Sequence, residues 1–580
     1  MYLRHTIKRF IIDTTNLLHL RCNDFLYLIF DVPFSISYGV RTKDEGVSKG
    51  HPYFMHISVD IDNQVRDLCI KSMAEAVFKD YFQHQSFLLP PSLEELISAN
   101  HPVRVVNDII NGIDLRLLLT QYKGGGTSSY HPAMLLKVVV YSYLVNIYSS
   151  RKMETAITEN IHLMWLSGMQ KPDHNTINRF RSERLKDTLK SIFVQVVQLL
   201  AEQGLLSLKD VYVDGTKLEA NANKYTFVWG NAIKSSKEKM AKQLDELWQY
   251  AQQVAAEEME LPEPPPFDKI DAEKVKATIA SIREVLKDKK VSKKAKQKLN
   301  YAEQKWPAAL DKYAAQQQIL DGRNSYSKTD TDATFMRMKE DHMKNGQLKP
   351  GYNLQISSNN QFIVDYTIHQ SPVDTTTLES HLNEHKQNYQ TYPEVVVADA
   401  GYGSEQNYEF LQVNEIDDYV KYNYFDKQQS ESFRDQHPFI ADHLHYNKDK
   451  DCYYCPIGQQ MTNIGTAKKI TAAGFEQTIT RYKAVNCEGC PLRVACHKSK
   501  SERIIEVNHN LNKHKQRAQQ KLNTEKGIYH RKRRPADVEP VFGNIKHNHG
   551  FRRFMLRGKH KVHIEAGLLA LAHNLRKKAA

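Results

Sequence analysis

Near the end of the chain Glu539 precedes Lys546 by seven residues, in the run Asp537-Val538-Glu539-Pro540-Val541-Phe542-Gly543-Asn544-Ile545-Lys546. Seven residues span about two helical turns, so on a helix both side chains face one way. One could hold a metal ion and the other a phosphate. Alone, the run reads equally well as an ordinary amphipathic basic helix. Two upstream runs change that balance. Val211-Tyr212-Val213-Asp214-Gly215 and Val395-Val396-Val397-Ala398-Asp399-Ala400-Gly401 each place a carboxylate at or just beyond the end of a short apolar strand. A second candidate set is sulfur. Cys452-Tyr453-Tyr454-Cys455 and Cys487-Glu488-Gly489-Cys490 are paired thiolate knuckles, with Cys496 as a spare ligand and His497 as a weaker competitor. Their spacing suits a tetrahedral Zn²⁺ site that folds an insertion, with a β-hairpin from Thr462 to Ala484 between the pairs.

The elements that must position these groups are legible in outline. Residues 1–72 mix short apolar runs with charged turns and show no sustained period, and Met73 is a plausible alternative start to such an N-terminal extension. From about Phe78 to Leu200 the pattern is helical. Ser92, with Glu94 and Glu95 behind it, predicts one helix start, and Asp173 predicts another, carrying Asn175, Asn178, Arg179 and Arg181 along one helix. Gly124-Gly125-Gly126 lacks the Lys-Ser or Lys-Thr of a phosphate loop and reads as a turn. Met240, Leu244, Leu247, Ala251 and Val254 recur at the spacing of a helix seam, and a proline-rich break at 262–266 separates that helix from a Lys-rich one ending near Leu320. Two strands then flank Ser358-Asn359-Asn360, followed by a helix from Thr375 to about Asn388 and the strand leading to Asp399. Pattern alone predicts a mixed α/β domain.

The chain has 580 residues, 80 Lys and Arg against 67 Asp and Glu, a formal charge of +13, and 41% hydrophobic residues. That length supports several buried cores. The basic excess gathers in the last hundred residues, which suits a polyanion better than a small acidic ligand. No run of about 18 apolar residues predicts a membrane span, and no cleavable leader is evident. Five of the seven cysteines lie between Cys452 and Cys496, an arrangement expected of a metal site in a reducing cytoplasm, while Cys22 and Cys69 stand apart.

Three segments, "VDGTKLEANANKYTFVW", "VVADAGYGSEQNYEFL" and "VEPVFGNIKHNHGFRRF", occur in the order found in the DDE transposases of bacterial insertion sequences, and the chain resembles that family from about Val77 onward. The resemblance implies an RNase H-like mixed sheet whose metal ligands and catalytic residues are Asp214, Asp399 and Glu539, holding two Mg²⁺ or Mn²⁺ ions. Such a pair, about 4 Å apart, stabilises the entering and leaving oxygens of a phosphodiester under attack. It further implies strand cleavage and strand transfer at terminal inverted repeats, double-stranded DNA as partner, a homodimer on DNA, and a place at the nucleoid of the bacterial cytoplasm.

The expected organisation is an N-terminal extension at 1–72, an all-α DNA-binding domain at 73–205, and a catalytic core at 206–234 and 322–425. A helical insertion at 235–321, a zinc-ribbon-like insertion at 426–505, and a catalytic helix with basic tail at 506–580 complete it. Arg179 and Arg181 are expected to read bases, and Arg531, Arg533, Arg534, Lys546, Arg552 and Arg553 to contact phosphates. The family carries an arginine four residues before the glutamate, where this chain has Pro535. Proline there suits the first turn of a helix starting at that point. Asp330, Asp332, Asp365 and Asp374 compete for the acidic roles, and Asp537 for the third, although it lies about 200° around a helix from Glu539. His547-Asn548-His549 is too compact for an HNH nuclease unit. Two other functions fit parts of the pattern: a catalytically retired DNA-binding protein, and an RNase H-like nuclease without strand transfer.

Overall fold

The computed structural model describes residues 92–122, 129–255, 270–338, 347–471 and 473–580. The expectations for 1–72, Met73, Cys22, Cys69, Gly124–Gly126 and Pro262–Pro266 lie outside these residues. Among the described residues six α-helices longer than four residues come first, with a single helical turn, Arg116–Leu119, after the first of them: α1 (Pro102–Gly112), α2 (Pro132–Leu144), α3 (Ser150–Glu159), α4 (Ile161–Ser167), α5 (His174–Arg179) and α6 (Leu189–Glu202). Two of them start on a His-Pro pair. His101 and His131 each accept the second backbone N–H of the helix on Nδ1, at 3.2 Å, and the proline fills the first position, where no N–H is needed. The start expected at Ser92 gives only a turn: Ser92 caps Glu95 N at 3.3 Å, and the first helix begins at Pro102. Asp173 does cap α5, accepting from Thr176 N at 3.0 Å.

β1 (Asp210–Glu219) and β2 (Phe227–Trp229) follow, then α7 (Gly230–Ala255), α8 (Ala272–Val285) and α9 (Lys293–Leu320), and then β3 (Ser325–Ser327). β2 and β3 pair as a ribbon, and the three helices between them have their own core, in which Leu244, Leu247 and Ala251 of the seam meet Val275, Ile279 and Trp306. β4 (Thr334–Arg337), β5 (Leu348–Asn359), β6 (Phe362–His369), α10 (Leu378–Tyr389), β7 (Val395–Ala398), α11 (Glu405–Val413) and β8 (Asp417–Val420) complete the main sheet. Its order is β4-β5-β1-β7-β8, with β6 also on β5. β5 is antiparallel to β1, while β1, β7 and β8 run parallel. The β5–β6 turn rests on Asn360 and Gln361, both at positive φ (50° and 63°), as a two-residue hairpin of the twisted type requires.

The cysteine-rich stretch forms a second, antiparallel sheet from β9 (His445–Asn447), β10 (Cys452–Tyr454), β11 (Gln460–Ile470), β12 (Glu476–Ala484) and β13 (Ile504–Val507). α12 (His509–Leu522), α13 (Glu525–Gly543) and α14 (Lys559–Ala579) end the chain.

α13 begins ten residues before Pro535, capped by Thr524 Oγ1 on Gly527 N at 3.1 Å, so Pro535 and Pro540 are interior rather than in a first turn. An interior proline costs about 3 kcal/mol. Packing of α13 across β1, β5, β7 and β8, through buried Val538 and Val541, opposes that cost. α14 is no basic tail. Val562 and every residue from Ile564 to Leu575 are buried, and the helix lies against α1, α2, α6 and β6. One continuous core therefore runs from Ile97 through the sheet to Leu575, and the expected boundary at 205/206 is a change of element within that core. Residues 87–580 group as one compact unit. Among the described residues no helix is long and apolar enough to cross a membrane.

Candidate active site

Parallel pairing of β1 with β7 ends at Val213↔Ala398, so Asp214 and Asp399 are the next residues on neighbouring strands, which lie about 4.8 Å apart in a sheet. Asp214 does not close its strand. β1 continues to Glu219, paired with β5 along its length and bridged at Glu219 to Arg553 on the other side. The alternation Thr216-Lys217-Leu218-Glu219 is too polar to announce that extension.

Each acid is oriented by a backbone N–H: Asp214 Oδ1 accepts from Gly215 at 2.8 Å and Asp399 Oδ1 from Gly401 at 2.8 Å. A larger residue at either glycine would force neighbouring side chains to shift. A Cβ on Gly215 would lie 2.2 Å from Gln355 Nε2 and 2.8 Å from Asp374 Oδ1, and one on Gly401 would lie 2.9 Å from Asp399 Oδ1.

From α13, Arg534 reaches over the end of the parallel strands. Its Nη2 is 3.1 Å from Asp214 Oδ2 and 3.6 Å from Asp399 Oδ2, although Nη2 makes no aligned hydrogen bond. Two carboxylates thus share one cation. The contact is electrostatic rather than directional, as expected of a charge standing between two acids.

Asp374 is the only rival acid beside this pair. Its Oδ1 accepts from Asn353 Nδ2 at 2.7 Å and Gln355 Nε2 at 2.9 Å, and the hydroxyl of buried Tyr402 donates to Gln355 Oε1. Burial, with Asp374, Asp214 and Asp399 close by, pushes the Tyr402 hydroxyl far up, so it remains a proton donor. Asn353, Gln355 and Tyr402 were missed, yet a signal existed: Asn353, Gln355 and Ser357 place polar groups at period two in a strand buried from Pro350 onward.

The other acids serve elsewhere. Asp330 accepts the Tyr352 hydroxyl, Asp332 the backbone N–H of Lys559, and Asp365 the ammonium of Lys190. Asp537 faces inward, accepting from Ser358 Oγ at 2.7 Å and Gln361 N at 3.1 Å.

Glu539 is exposed on α13, about 140° around the helix from Arg534. Lys546 is buried in a π-helical turn, Asn544–Asn548. Among the described residues no three His, Cys, Asp or Glu side chains stand together as a ready metal cage, so Glu539 does not close onto Asp214 and Asp399 in this conformation. Asp214 and Asp399 themselves fit a divalent ion: both are carboxylates, both are aimed by glycine N–H groups, and they already share a positive charge.

The expected DNA contacts divide. Asn175, Asn178 and Arg179 are exposed on α5. Arg181 is not available. It is buried, its Nη1 donating to Tyr143 Oη at 3.0 Å and Tyr148 O at 2.6 Å, because the π-helical turn Phe180–Arg184 after α5 shifts the helical register and carries it inward. Arg531 lies over Phe425, and Arg533 donates to Asn360 beside Tyr529. Arg552 is exposed, while Arg553 Nε donates to Ala220 O at 3.1 Å and helps tie the C-terminal segment to β1.

The cysteines separate as well. Cys455, Cys487, Cys490 and Cys496 line one small cavity, while Cys452 lies fully buried within β10 and outside it.

Residues 91–183 match a transposase domain, DUF772, and residues 454–579 match the transposase DDE domain. No curated protein and no solved structure matches the chain. The second match contains Glu539 and α13, the helix that reaches Asp214 and Asp399, and the first contains α1 to α5. Two transposase-domain matches in this order support an insertion-sequence DDE transposase.

Proposed function

We propose that this transposase binds the terminal inverted repeats of an insertion sequence and catalyses divalent-metal-dependent strand cleavage and strand transfer there. The observation that carries the reading is the junction of Asp214 and Asp399 under one guanidinium, where two parallel strands part. The sheet supports an RNase H-like core: three antiparallel strands, β6, β5 and β1, continue into parallel β7 and β8.

Asp214 and Asp399 would hold the ions, with Glu539 brought in from α13 when DNA is bound. Two divalent ions there would supply charge for the entering and leaving oxygens of the phosphodiester. Arg534 has to leave its place between the acids, and a DNA phosphate is the anion that can draw it away. Asp374, Gln355 and Tyr402 hold the floor of the site and keep Gly215 against β5. Exposed Arg179, with Asn175 and Asn178, is suited to base edges, and Arg531, Arg533 and Arg552 to the phosphate track. Two element ends must be paired, so the working form on DNA is a homodimer at the nucleoid.

The test is a Mg²⁺-dependent cleavage assay on labelled duplex bearing the element's ends, against scrambled duplex at fixed salt. Cleavage at the repeat boundary should vanish in Asp399→Asn and Glu539→Gln while binding persists. Binding without cleavage in the wild type would point instead to a retired, DNA-binding protein, and equal cleavage of scrambled duplex to a nuclease.

A further inference from the structure

The five clustered cysteines offer more than one way to make a four-sulfur site, and the structure discriminates among them. β10 pairs Cys452 with Thr462 on one side and Asn447 on the other, and its side chain is fully buried. Successive strand residues point to opposite faces. Tyr453 faces the small core that contains Met461, Tyr482 and Cys487, so Cys452 points away from it. Cys455 lies past the end of the strand, in a turn closed by Gly458 N on Cys455 O at 2.8 Å, and Gly458 holds φ 84°. A second turn repeats the design: Gly489 holds φ 69° between Cys487 and Cys490, and Arg493 N donates to Cys490 O at 3.1 Å. Cys496 ends the single helical turn that follows.

These four line a cavity of about 20 Å³. A volume of that order admits one water or one ion and no larger guest. The groups around it are those that support thiolates. Gln459 N donates to Cys455 Sγ at 3.3 Å, Arg503 N to Cys487 Sγ at 3.4 Å, and Arg503 Nη1 to Cys496 Sγ at 2.9 Å. N–H donors and a nearby cation are what a metal-bound thiolate needs in its surroundings. His497 also lines the cavity, and both of its ring nitrogens are buried without a hydrogen-bond partner.

We propose that Cys455, Cys487, Cys490 and Cys496 bind one structural Zn²⁺ and that Cys452 is not a ligand. The ion would join the turn after β10 to the Cys487–Cys496 segment. Since no three of these groups already stand as a closed cage, zinc draws the sulfurs together on binding. This assignment is independent of the proposed active site.

The experiment uses the full chain, with zinc content measured by mass spectrometry and the thiolate-to-metal charge-transfer band after Co²⁺ substitution. Wild type and Cys452→Ala should each hold one ion with the tetrathiolate spectrum. Cys455→Ser and Cys496→Ser should bind at least roughly tenfold more weakly. Because a serine variant can lose metal simply by misfolding, Cys496→His serves as the conservative variant: it should hold the ion with a cobalt spectrum shifted toward three sulfurs and one nitrogen. Loss of the ion in folded Cys452→Ala, retention of an unchanged spectrum in Cys496→Ser or Cys496→His, or a metal-free wild type with all thiols titratable would each overturn the assignment.

Discussion

Arg534 is the charge most directly opposed to metal binding, and replacing it gives a quantitative expectation. Its Nη2 lies 3.1 Å from Asp214 and 3.6 Å from Asp399, whose side chains are 11% and 41% exposed. At an effective dielectric near 20, a unit pair about 4 Å apart interacts by about 4 kcal/mol. Solvent at Asp399 reduces its share to about 1 kcal/mol or less, and the better buried Asp214 keeps somewhat more. A divalent ion entering between the acids must displace that attraction. Arg534→Gln removes it without emptying the space, so Mn²⁺ should bind the DNA-free protein more tightly by about 1.4–2 kcal/mol, roughly 10- to 30-fold. Arg534→Lys, which keeps the charge on a more mobile stem, should fall between. Titration calorimetry, with free Mn²⁺ followed in parallel by its paramagnetic resonance signal, gives the affinity without reference to cleavage. Unchanged or weaker Mn²⁺ binding in Arg534→Gln would show that the ion does not enter between Asp214 and Asp399.

Three further expectations concern the scaffold. Gly215→Ala should lower stability by about 1–3 kcal/mol through overpacking against Gln355, visible as a lower calorimetric midpoint, and an unchanged midpoint would mean that Gln355 and Asp374 yield freely. Lys190→Met should cost about 3–5 kcal/mol, because Asp365, fully buried and 2.6 Å from the ammonium, is left uncompensated; a second change, Asp365→Asn, should restore part of the loss in urea unfolding. Burial pushes His381 and His573 down to about 4 and His369 to about 3. Between about pH 6.5 and pH 4 the unfolded chain binds protons that these folded histidines refuse, so stability falls with falling pH, by up to about 1.4 kcal/mol per pH unit for each group. Denaturant midpoints at pH 7, 5.5 and 4.5 measure the slope, and a flat profile would contradict it.

Local pattern announced the parts of this protein that are locally determined. The valine runs before Asp214 and Asp399 and the helix seam from Met240 appear where their periodicity placed them, and the hairpin expected to turn at Ser358-Asn359-Asn360 turns slightly later, at Asn360–Gln361. What was illegible depends on neighbours distant in sequence. Arg181 reads as a surface residue because Arg and Asn at helical spacing look solvated, and only a π-helical turn and the distant Glu565, which accepts from Tyr143 at 3.0 Å, make a buried place for it. Pro535 reads as a helix start because proline rarely survives inside one, and only packing on four strands keeps α13 continuous. Arg534 appears in a basic run like its neighbours. Nothing in that run says which of its members crosses the sheet to the acids. The Lys and Arg residues at both ends of α14 likewise conceal an apolar middle that belongs to the core.

The burial of α14 has a consequence in time. Tyr143 and its partner Glu565 are 422 residues apart in the chain. At about 5–20 residues per second, a ribosome takes roughly 20–80 s to make the intervening segment. Throughout that interval α1, α2 and α6 lack the helix that covers them, and their apolar faces stay open to chaperones and proteases. Synthesis of the last turns, rather than that of the helices that carry Asn175 and Arg179, therefore sets the moment at which the core can close.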